Sequence, residues 1–427
     1  MTTRRLDSLE DCGGSNSPAI EMLPLRVVLL TNLIAPYTLP VWRELSRSVG
    51  SVHFLFSTAM HADRGWVPNC DGLNVRIQRS LSTIMRRQQA AGFTDDVPVD
   101  FPYDTLLWLR RLQPDVVISA QLGFRTLQAV FHRLCINRKS RLVIWADLSE
   151  HTERGIGRFR TAIRRFLLHA ADAVLVNGSS GARYVGQLGV SSKRIIQAPY
   201  TTDMTSFESI PLTRELSAVR RFLYVGQLIP RKGLETFLNS LSRWVATHPK
   251  QSCEIWFVGD GPLRNSLEQF PLPPSISRKF FGKVPYTELS KYFAEAGVLV
   301  LPTLEDTWAL VVNEALASGL PVLGSLYSQA VNELVRDNVN GWIFRPDNPE
   351  SAQDALSRVF ATSSERLYQM RGQARKSITH LTPAFVASRF VQAIQIATDE
   401  CPVIPADCVV LPSVHRQLPK TGYGSGK

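Results

Sequence analysis

Short apolar runs alternate with amphipathic stretches along most of this chain, in two successive series. Each run has the length of a buried strand, and stretches with helical periodicity lie between the runs. This alternation is typical of a parallel sheet covered by helices on both faces. The runs lie at 25–31, 52–57, 115–120, 141–146 and 173–177 in the first series, and at 221–226, 253–259, 280–282, 298–302 and 321–324 in the second.

The two series predict an α/β protein with two doubly wound, Rossmann-like domains. At 427 residues the chain is long enough for two separate hydrophobic cores. Segment 198–216 is rich in Pro, Thr and Ser, so we expect a linker with few contacts there. The two domains would face each other across a central cleft, where open parallel sheets bind ligands. We predict a disordered leader at 1–24, an N-terminal domain at 25–205, a C-terminal domain at 206–400 whose final helix can pack back on the N-terminal domain, and a loose tail at 401–427.

The charge of the chain favours anionic partners. It has 48 Lys and Arg residues against 37 Asp and Glu, a formal charge of +11. Nucleotide diphosphates, lipid headgroups and nucleic acid would all fit that charge. Because neither zinc-finger spacing nor an RNA-binding signature occurs, we do not expect a nucleic-acid partner.

The six cysteines are scattered without short pairs, which argues against a disulfide framework and against a structural zinc site. The eight histidines show no metal-ligand spacing either, so we expect no metal site and no cofactor. A reducing cytosol fits this cysteine usage best, and the expected location is cytoplasmic.

No apolar run has the length of a signal peptide core or of a membrane span, so we expect a soluble or peripheral protein. Segment 154–168 is basic and amphipathic, which would suit docking on the cytoplasmic face of an anionic membrane. A core-packed helix with a solvated arginine face would explain the same pattern.

The strongest local signal is the stretch 301–321. A strand ends near its start, Asp306 or Thr307 is a good N-cap, Gly319 is a typical helix end, and Pro321 prevents continuation. The predicted helix would open at the end of a parallel strand, where its N–H groups suit a phosphate.

Asp306 and Glu314 stand eight residues apart, about 12 Å along a helix at 1.5 Å per residue. Each carboxylate can accept hydrogen bonds from vicinal hydroxyls, one from a sugar ring and one from a ribose. A capping aspartate and a solvated helix glutamate are the alternative interpretation.

Two further loops carry candidate binding residues. Arg231 and Lys232 follow a strand, and fixed cations there would stabilise the charge that develops on a diphosphate leaving group. Gly259 and Gly261 flank Asp260 after another strand, and such glycines permit close backbone approach. Solvated loop charges and a plain turn would explain the two loops equally well.

Together these segments resemble the large GT-B glycosyltransferase family that is numbered four among the sugar transferases. Its E-x7-E stretch corresponds to 306–314, its G-x-L…K-G loop to 226–233, and its G-x-G-P turn to 259–262. The resemblance covers about 25–398 and is strong from 222 to 348. It implies two facing Rossmann-like domains, with the acceptor site in the first, the donor site in the second, and no metal.

The resemblance also implies roles for single residues. Glu314 would bind the donor ribose, Asp306 would hold the transferred sugar, and Lys232 with Arg231 would pair with the diphosphate. Catalytic candidates are Asp306, its neighbour Glu305, and His151, an acceptor-side base by position. The implied donor site comprises Gly226, Gln227, Arg231, Lys232, Gly259, Asp260, Gly261, Thr307, Trp308, Ala309, Leu310, Val311 and Glu314.

Three positions depart from the family pattern. Asp306 stands where glutamate is usual, with Glu305 beside it as a competitor. Gln227 stands where arginine is frequent, and Ala309 where glycine is usual.

The implied function is transfer of a hexosyl group from a UDP- or GDP-sugar to a glycan or lipid-linked acceptor, with retention of configuration, in polysaccharide or glycoconjugate biosynthesis. The alternatives are an enzyme of the nucleotide-sugar epimerase kind, a phosphorolytic enzyme, and a module that binds nucleotide sugars without turnover.

Overall fold

The computed structural model describes residues 22–60, 68–88, 92–214 and 220–399. The predicted tail and most of the predicted leader lie outside these residues. Leu23, which the prediction assigns to the leader, already belongs to the first strand.

The N-terminal domain is a parallel sheet with helices on both faces. The sheet has the strand order β3-β2-β1-β6-β7-β8-β9. Its described elements are β1 (Leu23–Leu33), α1 (Leu39–Ser48), β2 (Val49–Thr58), β3 (Asn74–Ile77), β4 (Ser80–Gln88), β5 (Thr94–Pro102), α2 (Thr105–Leu112), β6 (Val116–Ala120), α3 (Phe124–Phe131), a π-helical turn (His132–Ile136), β7 (Arg141–Ala146), α4 (Arg158–Ala170), β8 (Ala173–Val176), α5 (Ser179–Gln187) and β9 (Ile195–Gln197).

Strand β1 shows why the sheet is covered on both sides. Successive side chains of a strand point to opposite faces. Leu29 belongs to the core layer that contains Trp42 of α1, and Leu30 belongs to the layer that contains Leu167 of α4. All four residues are buried. The unbroken apolar run in the sequence therefore reflects burial on both faces.

A β-hairpin stands apart from the main sheet. Strands β4 and β5 pair antiparallel in a separate two-stranded sheet, with Ser82 opposite Asp100. Strand β5 contacts α3 in its own domain and the 3-10 turn Pro230–Lys232 of the other domain. The hairpin thus reaches across the cleft.

The C-terminal domain repeats the architecture with the strand order β12-β11-β10-β13-β14-β15. Its described elements are β10 (Arg221–Val225), α7 (Leu234–Thr247), β11 (Cys253–Val258), α8 (Arg264–Gln269), β12 (Ile276–Gly282), α9 (Leu289–Glu295), β13 (Val298–Leu301), α10 (Val311–Ala317), β14 (Val322–Ser325), α11 (Gln329–Leu334), β15 (Gly341–Phe344), α12 (Pro349–Ala361) and α13 (Ser364–Ile378).

The connection between the domains is packed rather than loose. It contains α6 (Thr205–Glu208), whose Phe207 is fully buried. The ring of Phe207 lies 5.2 Å from that of Phe293 and 6.0 Å from that of Tyr286. The expectation of few contacts in this segment was wrong, because its apolar side chains complete the core of the C-terminal domain.

The last described helix, α14 (Pro383–Thr398), lies on the N-terminal domain. The ring of Phe390 meets Trp42 at 5.2 Å and Trp145 at 5.3 Å between centroids. The chain therefore crosses between the domains a second time before it ends.

Candidate functional site

The site lies where the carboxyl ends of the two sheets face each other. Asp147 follows β7 of the first sheet, Lys232 follows β10 of the second, and Asp306 follows β13. Parallel strands end at one edge of a sheet, so these loops meet in the cleft.

Lys232 and Asp306 form the centre of the site. The Lys232 Nζ lies 2.6 Å from Asp306 Oδ2, and the Arg231 guanidinium lies 3.7 Å from the same oxygen. Gly233 makes this possible, because its φ is +64° and a Cβ there would lie 2.3 Å from the Pro302 carbonyl oxygen. The loop after β10 can therefore pack directly on the loop after β13.

Asp306 does not cap a helix, and the prediction of a helix that starts at 306 or 307 was wrong. Helix α10 starts at Val311 with Leu310 as its N-cap residue. Asp306 lies in the preceding loop, where its Oδ1 accepts a hydrogen bond from the Trp308 N–H at 3.2 Å. The distance of about 12 Å along one helix axis does not apply, since Asp306 is outside the helix. Gly319, with φ +69°, follows the helix end as predicted.

Ala309 explains why the helix starts late. Its φ is +74°, in the left-handed region, so Ala309 cannot be part of a right-handed helix, and the helix can start only after it. A residue with a Cβ pays about 1 kcal/mol for this conformation. The glycine usual in the resembling family would adopt it freely.

The charges at this site are unequal. Burial favours a raised pKa for Asp306, but the Lys232 and Arg231 charges outweigh it and hold that pKa below its ordinary value. Arg231 and Lys232 thus place two cations within 4 Å of one carboxylate oxygen of Asp306. The site is therefore suited to a further anionic group.

Asp147 is a second carboxylate in the cleft, and sequence reasoning did not single it out. Its Oδ1 accepts a hydrogen bond from Asn177 Nδ2 at 2.5 Å. The amide orientation is set by Trp145, whose Nε1–H donates to Asn177 Oδ1 at 3.2 Å. Thr307 and Tyr200 also hydrogen-bond to Asp147. Burial, with the nearby Asp306 charge, raises the pKa of Asp147.

Glu314 is buried rather than solvated, so the interpretation as an exposed helix residue is excluded. Burial raises the pKa of its carboxyl to about 7, and a hydrogen bond with Tyr286 opposes that change in part. A carboxyl with this pKa changes its charge near neutral pH.

The glycine loops beside the site pack backbone against backbone. A Cβ on Gly259 would lie 1.9 Å from the Gly226 carbonyl oxygen, and one on Gly261 would lie 2.5 Å from the Leu228 oxygen. The Leu228 N–H donates to the Asp260 carbonyl at 3.0 Å. Close approach, rather than a plain turn, is the reason for these glycines.

The remaining candidates of the donor loops lie beside this centre. The Gln227 carbonyl accepts a hydrogen bond from the Tyr224 hydroxyl at 2.7 Å, and the Glu305 carbonyl accepts one from Arg231 at 3.0 Å. Trp308 is buried, and its Nε1–H donates to Asn313 at 3.0 Å.

His151 reaches across the cleft from the N-terminal domain. Its Nε2 donates to the Leu304 carbonyl oxygen at 2.8 Å, and its ring stacks on Tyr327 with centroids 3.9 Å apart. Burial lowers the pKa of His151. The ring is therefore neutral at pH 7, with a lone pair on Nδ1 when Nε2 carries the proton.

Helix α11 joins the two domains. The Glu333 carboxylate accepts a hydrogen bond from the Ser179 N–H at 2.6 Å, at the start of α5. Gln329 accepts from the Gly181 N–H at 3.1 Å and donates to the Leu148 carbonyl at 2.9 Å. The cleft is closed in this structure.

A polar cluster marks the N-terminal side of the cleft, and sequence reasoning missed it. Arg125 is buried and donates to Ser57 at 2.5 Å, to Gln121 at 3.1 Å and to Asn32 at 3.3 Å. These partners lie at the carboxyl ends of β1, β2 and β6. A buried arginine in an apolar helix gives no local sequence signal.

Within the described ranges, no three His, Cys, Asp or Glu side chains are grouped closely enough to hold a metal ion. None of the helices in these ranges has the length and apolar character that a membrane span needs.

Comparison with known proteins gives a consistent result. The family model described as Glycosyl transferases group 1 matches residues 219–362. Sulfoquinovosyl transferase SQD2 of Arabidopsis thaliana is 26% identical over 269 residues, which cover 59% of this chain and 50% of that protein. The chain spans about half the length of the curated relatives it matches.

Solved structures extend the likeness to both domains. The apo form of the lipopolysaccharide outer core galactosyltransferase WaaB has a TM-score of 0.62 at 14% identity, covering 87% of this chain and 99% of that one. Anabaena HepE in complex with UDP has a TM-score of 0.63 at 12% identity, covering 87% and 100%. Residues 219–362 thus match the glycosyl transferases group 1 family model, and the chain has the GT-B fold of two facing Rossmann-like domains.

Proposed function

We propose that this chain is a retaining glycosyltransferase that transfers a hexosyl group from a UDP- or GDP-sugar to a glycan or lipid-linked acceptor. The observation that carries the proposal is the cluster of Arg231, Lys232 and Asp306 at the facing edges of the two sheets. We place the reaction in the cytoplasm, at the inner face of a membrane, and without a metal ion.

The donor diphosphate would bind at Arg231 and Lys232. Two cations held side by side at the end of a strand attract a doubly charged diphosphate, which can bind in addition to, or in exchange for, the Asp306 carboxylate. As the glycosidic bond breaks, negative charge grows on the diphosphate, and cations held in place by Gly233 stabilise that charge in the transition state. This is the role a metal ion plays in other transferases, and fixed side chains can supply it here.

Nucleotides in structures of similar fold support the donor class. Anabaena HepE has been solved with UDP and with UDP-glucose, and starch synthase IV of Arabidopsis thaliana with ADP and acarbose. Following the roles that the family resemblance implies, we assign the donor ribose to Glu314 and the transferred sugar to Asp306, with Glu305 as its neighbour.

The acceptor side would use groups of the N-terminal domain. His151 is neutral and its Nδ1 is buried without a hydrogen-bond partner among the described residues, so it can accept the proton of an acceptor hydroxyl. Asp147, four residues before His151, is hydrogen-bonded to Thr307 of the other domain. The closed cleft brings these groups to the donor loops and excludes water from the reacting atoms.

The test is a thermal-shift screen with UDP-, GDP- and ADP-sugars, followed by transfer and hydrolysis assays with the donor that binds. Lys232→Gln should weaken donor binding about tenfold or more, because a charge-assisted hydrogen bond is lost. Lys250→Gln, an exposed cation of the same domain, is the matched control and should bind normally.

Three results would contradict the proposal in different ways. If no nucleotide sugar changed the melting temperature, the proposed donor site would be contradicted. Tight binding without product would indicate a binding module, and conversion of the donor to its epimer would indicate the epimerase class.

A further inference from the structure

Helix α3 and the turn after it expose their apolar side. Phe124, Leu127, Phe131 and Leu134 are 40%, 41%, 49% and 44% exposed, at spacings that place them on one helical face. We call these four residues the apolar stripe. The opposite face of the helix buries Arg125. This is the reverse of the usual surface helix, which hides its apolar residues.

The apolar stripe continues onto the hairpin. The rings of Phe101 and Phe124 lie 5.7 Å apart, and Leu81 is paired across the hairpin with Phe101. Leu81 and Met85, two residues of alternate spacing on β4, are 69% and 54% exposed. Residues of alternate spacing share one face of a strand, so the apolar surface extends beyond the helix.

Helix α4 extends the surface on the other side. It contacts α3, and its Phe159 and Phe166 are 81% and 55% exposed. Arg158 and Arg165 are exposed beside these rings. Each of the two interpretations of segment 154–168 therefore describes one side of the helix. Leu167 and Leu168 pack in the core, as in a core-packed helix, while the outer face is apolar and basic, as in a docking helix.

The helices around the apolar stripe carry positive charge. Helices α2, α3 and α4 and the π-helical turn contain eight arginines and no acidic residue, and of these only Arg125 and Arg164 are buried, whereas the aspartates of this surface lie on β5. Contiguous exposed apolar groups on a soluble domain mark an interaction surface. The positive charge of the helical part disfavours a second copy of this chain as the partner, because like charges of the two copies would face each other there.

We propose that the apolar stripe, with the adjoining faces of β4 and α4, docks this protein on an anionic lipid bilayer. The phenylalanine and leucine side chains would enter the boundary between headgroups and acyl chains, and the arginines would lie among the anionic headgroups. Each basic residue near such a surface adds to the attraction, which falls off within a Debye length.

The docking surface lies beside the cleft. Arg125, in the first turn of α3, hydrogen-bonds to Asn32 and Ser57 at the carboxyl ends of β1 and β2. A lipid-linked acceptor could therefore keep its tail in the bilayer while its sugar enters the cleft. This last step rests on the proposed function, whereas the docking itself does not.

The experiment is co-sedimentation of the full chain with phosphatidylcholine vesicles, with and without phosphatidylglycerol, at low and high salt. The chain should pellet with the anionic vesicles, and high salt should weaken binding. Leu127→Ser with Phe131→Ser should weaken it about tenfold or more, because two apolar side chains leave the lipid. Tyr368→Ser, an exposed aromatic of the C-terminal domain, is the control and should bind as the wild type does.

Charge is tested separately with Arg158→Glu and Arg165→Glu together, against the exposed Lys376→Glu of α13 as control. The double variant should lose most of its binding to anionic vesicles. Thermal melting in the presence of the donor sugar should show the same donor-induced shift in every variant, which separates this proposal from the proposed function.

Several outcomes would overturn the docking proposal. In the first, the wild-type chain stays in the supernatant with anionic vesicles. In the second, the variant with Leu127→Ser and Phe131→Ser pellets like the wild type. A third is a wild-type dimer in light scattering that the stripe substitutions dissociate, because that would assign the surface to self-association.

Discussion

At the scale of single residues, the cleft holds carboxyl groups in very different surroundings. Asp306 faces two cations, which hold its pKa below the ordinary value. Asp147 and Glu314 are enclosed without a cation among the causes of their shifts, and burial raises the pKa of each. Environments that separate the pKa values of neighbouring acids are typical of sites that use one as an anion and another as a proton carrier.

Glu314 predicts a pH dependence of stability. Its pKa is about 7 in the folded chain and lower in the unfolded chain, so the folded state binds the extra proton. The stabilisation that this tighter proton binding gives to the folded state is fully present below about pH 4.5, and it is lost as pH rises through about 7. Glu314→Gln should be about as stable as wild type at acid pH and more stable at pH 8, by on the order of 1–3 kcal/mol.

Urea unfolding at both pH values measures this difference. Equal stability of the two chains at both pH values would contradict the assignment. If Glu314 binds the ribose as an anion, donor affinity in the wild type should also fall below about pH 7, and in the variant it should not vary there.

Ala309 predicts a stabilising substitution. Its left-handed φ of +74° is unfavourable for a residue with a Cβ, and glycine would relieve it. Ala309→Gly should raise the free energy of unfolding by about 0.5–1 kcal/mol. Ala315→Gly, inside α10, is the control and should lower it by about 1 kcal/mol. Denaturant titration measures both, and a less stable Ala309→Gly would show that this loop is unstrained.

At the scale of elements, the loops after β10 and β11 fit together through glycine backbones. Gly259 has a φ of +136° as well as the short approach to Gly226. Gly259→Ala should therefore destabilise the chain by about 3 kcal/mol or more, since both strain and overlap oppose it.

A matched glycine tests that prediction. Gly186 in α5 has no neighbour within 4 Å of an added Cβ, so Gly186→Ala should stabilise by about 0.5–1 kcal/mol. Thermal melts of the two variants should shift in opposite directions. Shifts of the same sign would mean that backbone contact does not shape this loop.

The same elements show what the sequence could predict. Ten strands of the two main sheets were found, because burial on two faces leaves continuous apolar runs, whereas the short strands β3, β9 and β15 at the sheet edges were not predicted. The hairpin of β4 and β5 was not, because its exposed strands contain Pro98 and several aspartates, which strands usually lack.

In the site, the sequence singled out both Lys232 and Asp306, and the structure places their charged atoms 2.6 Å apart. The helix start was misplaced because a good capping residue was judged by itself, whereas the left-handed Ala309 decides where the helix begins. Asp147 had no local signal, since its partners Asn177 and Thr307 come from other elements.

At the scale of the whole molecule, the closed cleft depends on a few hydrogen bonds from α11. The Glu333 carboxylate is placed at the start of α5, where N–H groups favour an anion. Glu333→Ala should shift the chain toward an open form, with a larger radius of gyration in small-angle scattering and weaker donor binding. Glu295→Ala, an exposed acid at the end of α9, should leave both unchanged.

The second crossing of the chain limits how such an opening can proceed. The Thr201 hydroxyl of the first crossing donates to the Leu381 carbonyl oxygen of the second at 2.6 Å, so the two covalent connections run side by side. A single flexible linker would let the two domains rotate relative to each other in any direction. Two adjacent linkers resist twisting and permit mainly a hinge motion about the line where they touch. The two domains should therefore open by a hinge motion about one axis. Each closure would then bring the same two sheet edges together.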